Sequence, residues 1–321
     1  MTASSTSLSA PVTRLPRRGA GTRSGATPAV RSSLRARDKS GYLFVAPFAV
    51  ATGLFLLWPT IYGLWMSFTD QSLTATGSSF IGIDNYVEMF EDPAFVGSLM
   101  NTLLWVAGTL LIPVGVGLAL ALLTWNLPGG VWLRLPFLIP YAISGIGVGV
   151  IWSFILSANG ALDQALAVFG VTDPPRWLVD APLNTVVMIL ASSWQGVGVN
   201  ALLFTIGLQS IPKEPLEAAR VDGATGIRLF GSILWPMLRP LTAVVVGLSI
   251  VASLKTFDIV LSMTKGGPGR ASETLALTMY RETFVNSDYG LGSAIAVFLS
   301  VVTLIASILY LRQQLSQKHE M

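Results

Sequence analysis

Six apolar stretches dominate the chain, at about 42–66, 98–124, 131–157, 183–209, 237–263 and 290–311, with polar segments of uneven length between them. A helix rises about 1.5 Å per residue, so roughly 20 mostly apolar residues cross the hydrocarbon core of a bilayer. Each stretch meets that length, and the pattern predicts an all-α membrane protein with six transmembrane helices. Pro47, Pro59, Pro113, Pro136 and Pro140 fall inside spans, as does the run Gly145-Ile146-Gly147-Val148-Gly149. Such residues are tolerated where neighbours or water satisfy the freed backbone groups. Small residues also let helices approach closely, which favours a packed bundle over isolated anchors.

The polar segments differ in kind. Residues 1–41 are rich in Ser, Thr, Ala, Gly, Pro and Arg and lack an apolar face, which predicts a disordered basic tail. The apolar run from Tyr42 is too long for the core of a signal peptide and has no small-residue cleavage site, so it reads as a retained first span. The segment from about 210 to 236 is polar and helix-prone. Pro215 suits a first helical turn, Leu216 to Asp222 favour helix, and Gly223 suits the left-handed residue after a helix end. Thr225 is placed to cap a second helix carrying Ile227, Leu229, Phe230 and Ile233. The expected geometry is helix, turn, helix, then membrane, with Ala218 and Ala219 allowing close approach of a partner. A solvated amphipathic loop fits the same residues.

Composition agrees with membrane residence. Apolar residues make up 52% and charged residues 12% of the chain, and the mean hydropathy is +0.64. A soluble domain carries about twice that charged fraction. Cysteine is absent, which excludes disulfides, zinc–cysteine sites and thiol catalysis. The single histidine, His319, lies in the C-terminal tail, which speaks against histidine catalysis or metal binding in the membrane. No G-x4-G-K-[ST] phosphate loop is present, so ATP is not expected to bind this chain in the usual way. No globular domain stands between the spans, so first capture of a solute is expected to rest with another protein. No nucleic-acid partner is expected.

The placement of Lys and Arg orients the spans. Arg14, Arg17, Arg18, Arg23, Arg31, Arg35, Arg37 and Lys39 lie in the tail, and Lys213, Arg220, Arg228 and Arg239 lie in or beside the polar insert. Arg312 and Lys318 follow the last span. The loop at 67–97 instead carries Asp70, Asp84, Glu88, Glu91 and Asp92 with no Lys or Arg. Both termini and the insert are therefore expected to be cytoplasmic. Lys265, Arg270 and Arg281 blur the last external loop.

Ionisable groups inside a bilayer are expensive unless paired or hydrated, so each is a functional candidate. Lys255 and Asp258 are three residues apart in the fifth stretch and are expected on one helical face, where they either bind a solute or neutralise each other. The fourth stretch carries Trp194, Gln195, Gly196 and Asn200. Amides, charges and aromatic faces are the groups that bind sugars, and transporter sites lie near mid-membrane. Ser144, after Ile139-Pro140, is a further candidate. Hydrogen bonding between helices accounts for each of these residues equally well. An intramembrane enzyme of the glycosyltransferase type would need an acid–base or metal constellation, and Lys255 with Asp258 alone supply a poor one.

The segment Leu216-Glu217-Ala218-Ala219-Arg220-Val221-Asp222-Gly223, closing at Ile233-Leu234-Trp235-Pro236, resembles the E-A-A-x3-G coupling loop of bacterial ABC importer permeases, with Trp235 where Leu is usual. The resemblance to MalF-type permeases of carbohydrate ABC importers extends over about residues 42–311. Phe80-Ile81-Gly82-Ile83-Asp84-Asn85-Tyr86, Asn101-Thr102, Gly207-Leu208-Gln209-Ser210-Ile211-Pro212, Phe257-Asp258-Ile259, Thr264-Lys265-Gly266-Gly267-Pro268, and Tyr289-Gly290 with Ala294-Ile295-Ala296 follow the family's order. It implies the type I importer permease fold over 42–311, with a coupling loop at about 210–236 and a short cytoplasmic tail at 312–321. It also implies a non-catalytic subunit of the bacterial inner membrane, without metal or cofactor of its own, in contact with membrane lipid. The implied partners are a second, distinct permease, two copies of an ATPase that holds ATP and Mg, and an extracytoplasmic sugar-binding protein. Leu216, Glu217, Ala218, Ala219, Asp222 and Gly223 would meet the ATPase. Ser144, Gln195, Gly196, Asn200, Lys255 and Asp258 would line the sugar path. The solute stays open among oligosaccharides and α-glucosides, with glycerol phosphate or a polyamine as alternatives.

Overall fold

The structure is a computed structural model that describes residues 40–73 and 77–317, so the expected tail falls almost wholly outside the described residues. The chain divides into a unit ending at Gly53 and one running from Leu54 to Met321. The first contains α1 (Ser40–Thr52). In the second, α2 (Trp58–Met66), α3 (Asp84–Glu91), α4 (Pro93–Thr109) and α5 (Gly115–Thr124) are followed by α6 (Gly130–Leu138), α7 (Gly145–Ile155) and α8 (Ala161–Val168). Then come α9 (Leu183–Gln209), α10 (Lys213–Val221), α11 (Gly226–Leu229), α12 (Trp235–Leu254), α13 (Asp258–Met263), α14 (Leu275–Tyr280) and α15 (Tyr289–Gln317). α15 carries helix past the expected end of the last span at 311. No strand forms among the described residues, only isolated bridges such as Thr69 with Phe80.

Five helical runs are long and apolar enough to cross a membrane: Phe44–Met66, Pro93–Thr124, Leu183–Gln209, Gly226–Leu254 and Tyr289–Arg312. A sixth is present if Gly130–Ala142 and Gly145–Ile155 count as one span. The second run passes through a wider π-helical turn at Leu110–Val114, where Pro113 has no N–H to donate. A similar turn at Phe230–Leu234 precedes Pro236 and joins α11 to α12, so the second helix of the polar insert merges with the fifth span.

Two spans expected to be continuous are broken. The third bends by 102° between Ala142 and Gly145. Pro136 and Pro140 weaken the helix before the bend, and Ser144 turns extended and caps α7, its hydroxyl accepting from the Gly147 N–H at 3.1 Å. Gln195 Nε2 donates to the freed Ile143 carbonyl at 2.6 Å. The fifth span ends at Leu254, and α13 starts afresh at Asp258. Lys255 and Thr256 donate to the carbonyls three residues back, which tightens the last turn, and Thr274 Oγ1 takes the Thr256 carbonyl at 2.7 Å. Lys255 and Asp258 therefore do not share a helical face, and no ion pair joins them among the described residues.

Close packing holds these pieces. Gly198 is required where α6 meets α9: a Cβ there would lie 2.0 Å from the Phe137 carbonyl oxygen. Trp105, Met188 and Val260 centre a core shared by α4, α9 and α13, with Val148 of α7. Phe204, Leu208, Leu216, Leu234 and Leu238 form a second core where α10 meets the spans, and Phe95, Leu275 and Ile295 form a third.

The end of the bundle away from α10 is tied by a polar hub. Glu273, fully buried, pairs with Arg270 at 2.9 Å and with Arg281, and accepts from Thr278 Oγ1 at 3.0 Å. Arg270 also reaches Glu282 at 3.1 Å and Asp92 at 3.7 Å. Asn101 of α4 donates to the carbonyls of Ala271 and Glu273. Burial alone would lower the pKa of Arg270, but the hydrogen bond and charge of Glu273, with the charges of Glu282 and Asp92, raise it above its ordinary value. The arginines that blurred the charge pattern of this loop are thus neutralised inside the fold. Glu273→Ala leaves both arginines without their shared partner. A loss of about 3 kcal/mol is expected, the low end for a broken buried pair because the arginines are partly exposed. Thermal unfolding of the solubilised protein measures it, and an unchanged midpoint refutes it.

Candidate functional site

Both helix breaks open onto one polar region. A cavity of about 450 Å³ is lined from α9 by Ser192, Gln195, Gly196, Val199, Asn200 and Leu203, and from α12 and its end by Leu248, Ser249, Ala252, Ser253 and Thr256. Thr109, Pro113 and Tyr141 complete it. A second cavity, of about 210 Å³, shares Ser192, Gln195 and Thr256 and adds Gly145, Lys255, Phe257, Asp258 and Ile259. The α12 break swings Lys255 and Asp258, both exposed, to the mouth of this region, and neither side chain makes a hydrogen bond or ion pair among the described residues.

Of the residues expected on the solute path, Gln195, Gly196 and Asn200 line the larger cavity, and Gln195, Lys255 and Asp258 line the smaller. Ser144 lines neither and caps α7. Gln195 also braces the bend through the Ile143 carbonyl, which commits one of its two amide N–H donors. Trp194 packs edge-on against Trp152, with ring centroids 6.2 Å apart, and is not a cavity wall. Tyr141 supplies the aromatic surface instead. Sequence reasoning missed it together with the hydroxyls of Thr109, Ser192, Ser249, Ser253 and Thr256. Ser249, Ser253 and Thr256 carried a signal, since spacings of four and three put residues on one helical face.

At the other end, α10 is amphipathic. Leu216 and Ala219 are buried in the core with Ile211 and Leu234, and Ala224 is buried after the turn. Glu217, Ala218, Val221, Asp222 and Gly223 are exposed, Val221 by 88% and Ile227 beyond the turn by 86%. Leu216 and Ala219, both among the residues expected at the ATPase, thus face the body of this chain, while Ala218 is open. Pro215 sits in the first turn of the helix, which begins at Lys213, as expected. Gly223 has φ +76°, its N–H donates to the Arg220 carbonyl at 3.0 Å, and the Ala224 N–H closes onto Ala219 at 2.8 Å. That conformation is the one glycine adopts without steric cost. A cavity of about 390 Å³ beneath α10 is lined by Trp125, Asn126, Gln209, Lys213, Glu217 and Arg220, among others.

A bundle of apolar spans, interrupted around a polar cavity and bearing an exposed amphipathic helix at one end, defines a membrane transport permease. Residues 93–318 match the family of binding-protein-dependent transport system inner membrane components, and the chain belongs to that family. It is 34% identical over 266 residues to the sn-glycerol-3-phosphate transport system permease protein UgpA of Agrobacterium fabrum, covering 82% of this chain and 90% of the relative. It is 35% identical over 279 residues to the sulfoquinovosyl glycerol transport system permease protein SmoG of the same organism, covering 84% and 88%. Its fold resembles a chain of a bacterial ABC transporter involved in import of the acidic polysaccharide alginate, with a TM-score of 0.76 at 23% identity over 87% of this chain and 96% of that one. The chain is therefore a non-catalytic, multi-pass translocation subunit of an ABC importer.

Proposed function

We propose that this permease carries a sugar or sugar derivative, delivered by an extracytoplasmic binding protein, through the cavity between α9 and the broken fifth span. The observation that carries this reading is the cavities' lining: amides, hydroxyls, the aromatic rings of Tyr141 and Phe257, and two ionisable groups without protein partners among the described residues. Polyhydroxylated solutes match that mixture of donors, acceptors and an aromatic face. Gln195, Gly196, Asn200, Lys255 and Asp258 are assigned to the solute, and Ser144 to shaping the bend. The exposed face of α10 is assigned to a separate ATPase, which holds ATP and Mg. Two such ATPases need two coupling helices, and this chain offers one, so a second permease completes the pore. The side bearing α10 and both termini is assigned to the cytoplasm.

A second reading within the same class is a charged polyol. Two relatives are named for glycerol phosphate and sulfoquinovosyl glycerol, and Lys255 offers a cation to such an anion. Reconstitution of the permease pair, ATPase and binding protein in proteoliposomes separates the readings. ATP-driven uptake of a neutral oligosaccharide supports the first, and uptake of glycerol 3-phosphate alone supports the second. Uptake of neither class refutes both.

A further inference from the structure

Arg134 is a buried cation that the transport site does not use. It lies in the first half of the bent third span and is only 9% exposed. Its Nε donates to the Gly130 carbonyl at 3.1 Å, one turn back, which draws the guanidinium toward the start of α6. Gly130 packs against the end of α5, where a Cβ would meet the Thr124 carbonyl oxygen at 2.1 Å. The next residues, Trp125 and Asn126, line the cavity beneath α10, so Arg134 lies toward the coupling-helix end of the bundle.

The remaining donors of this side chain are free. Among the described residues none accepts from Nη1 or Nη2, and none of the ion pairs includes Arg134. Neither nitrogen is among the polar atoms sealed from the surface. An arginine keeps its charge in proteins, so the two Nη groups present a cation at the surface of the fold with no counter-ion among the described residues. The two free Nη groups form a planar fork suited to two oxygens of one phosphate or carboxylate.

The surroundings select among anions. Around the α5–α6 turn, near Arg134 in sequence, Leu123, Leu127, Val131, Trp132 and Leu133 are exposed, Trp132 by 72%. Exposed leucines beside a tryptophan and an arginine mark the boundary between acyl chains and headgroups, where tryptophan concentrates. Basic pockets between helices at that depth hold lipid headgroups. We propose that Arg134 binds the phosphate of an anionic phospholipid and so fixes α6 against the end of α5 beside the coupling helix.

The test uses the assembled transporter, permease pair with ATPase, in nanodiscs. Wild type is expected to unfold at higher temperature in phosphatidylglycerol than in phosphatidylcholine. Native mass spectrometry should show phosphatidylglycerol retained roughly tenfold more than in Arg134→Gln, as loss of a charge-assisted hydrogen bond predicts. Equal behaviour of the wild type in the two lipids overturns the proposal without any variant. Millimolar inorganic phosphate that reproduces the stabilisation in phosphatidylcholine also overturns it, in favour of a free anion. If Arg134→Gln does not assemble, Arg134→Lys replaces it, with reduced retention expected. Undiminished retention in whichever variant assembles overturns the proposal. Loss of a protein subunit from the variant, with no lipid preference in the wild type, assigns the counter-charge to a subunit's carboxylate instead.

Discussion

Reversing the charge at Glu217 is expected to cut solute uptake sharply while the chain stays folded and in the membrane. Glu217 is exposed on α10, and the residues that hold α10 to the bundle, Leu216 and Ala219, lie on the opposite face. A lysine there removes no buried contact. It places a third cation beside Lys213 and Arg220, which line the same cavity. Coupling between sites is worth roughly 1–3 kcal/mol, so the loss of uptake should fall between about fivefold and 150-fold. Gly223→Pro should act at the same step by another route. Proline cannot adopt the φ of +76° found there, nor supply the N–H that Arg220 accepts. Uptake measured beside membrane abundance and ATPase co-purification checks both variants. Normal uptake at normal abundance would remove α10 from the coupling pathway.

Asp258→Asn is the second large effect. The carboxylate stands at the mouth of the smaller cavity without a protein partner, 3.1 Å by its Cβ from where a side chain on Gly145 would begin. The amide keeps the shape and one acceptor but loses the charge. A charge-assisted hydrogen bond to a solute hydroxyl is worth roughly 1.5–3 kcal/mol, so uptake at limiting solute should drop about tenfold to a hundredfold. Complex assembly and binding-protein affinity should not change. Had Lys255 and Asp258 neutralised each other, the substitution would have cost stability, but in the fold they make no ion pair. A variant that assembles and transports normally would move the solute path elsewhere, toward the hydroxyls of Ser249, Ser253 and Thr256.

The sites differ in how far they were legible. Helix α10 was nearly complete in the sequence, because its signals are local: a short amphipathic pattern, a glycine at its end and a polar setting between apolar runs. What the sequence left open was the phase of the helix, which turns Leu216 and Ala219 inward and leaves Glu217, Ala218 and Asp222 outward. The cavity was legible only as a set of polar residue types. Gln195 and Asn200 were found because an amide stands out in an apolar stretch, but the role of Gln195 at the Ile143 carbonyl depends on a bend 52 residues away. Trp194 and Tyr141 exchanged places for the same reason: which aromatic faces the cavity is set by helix rotation and by the 102° bend.

What the sequence determined by itself is the class: apolar length sets the spans, and one amphipathic insert between them stands out as a polar helix. Those properties follow from transfer of side chains between water and lipid, which each segment undergoes almost independently. What only the tertiary structure decided is where spans break and what the breaks serve. Thr274 takes the Thr256 carbonyl from 18 residues away, and Asn101 reaches Ala271 and Glu273 from more than 160. A backbone group freed in the membrane must find a partner, and that partner belongs to a neighbouring helix. The breaks that open the cavity are therefore a property of the packed bundle and not of any one span.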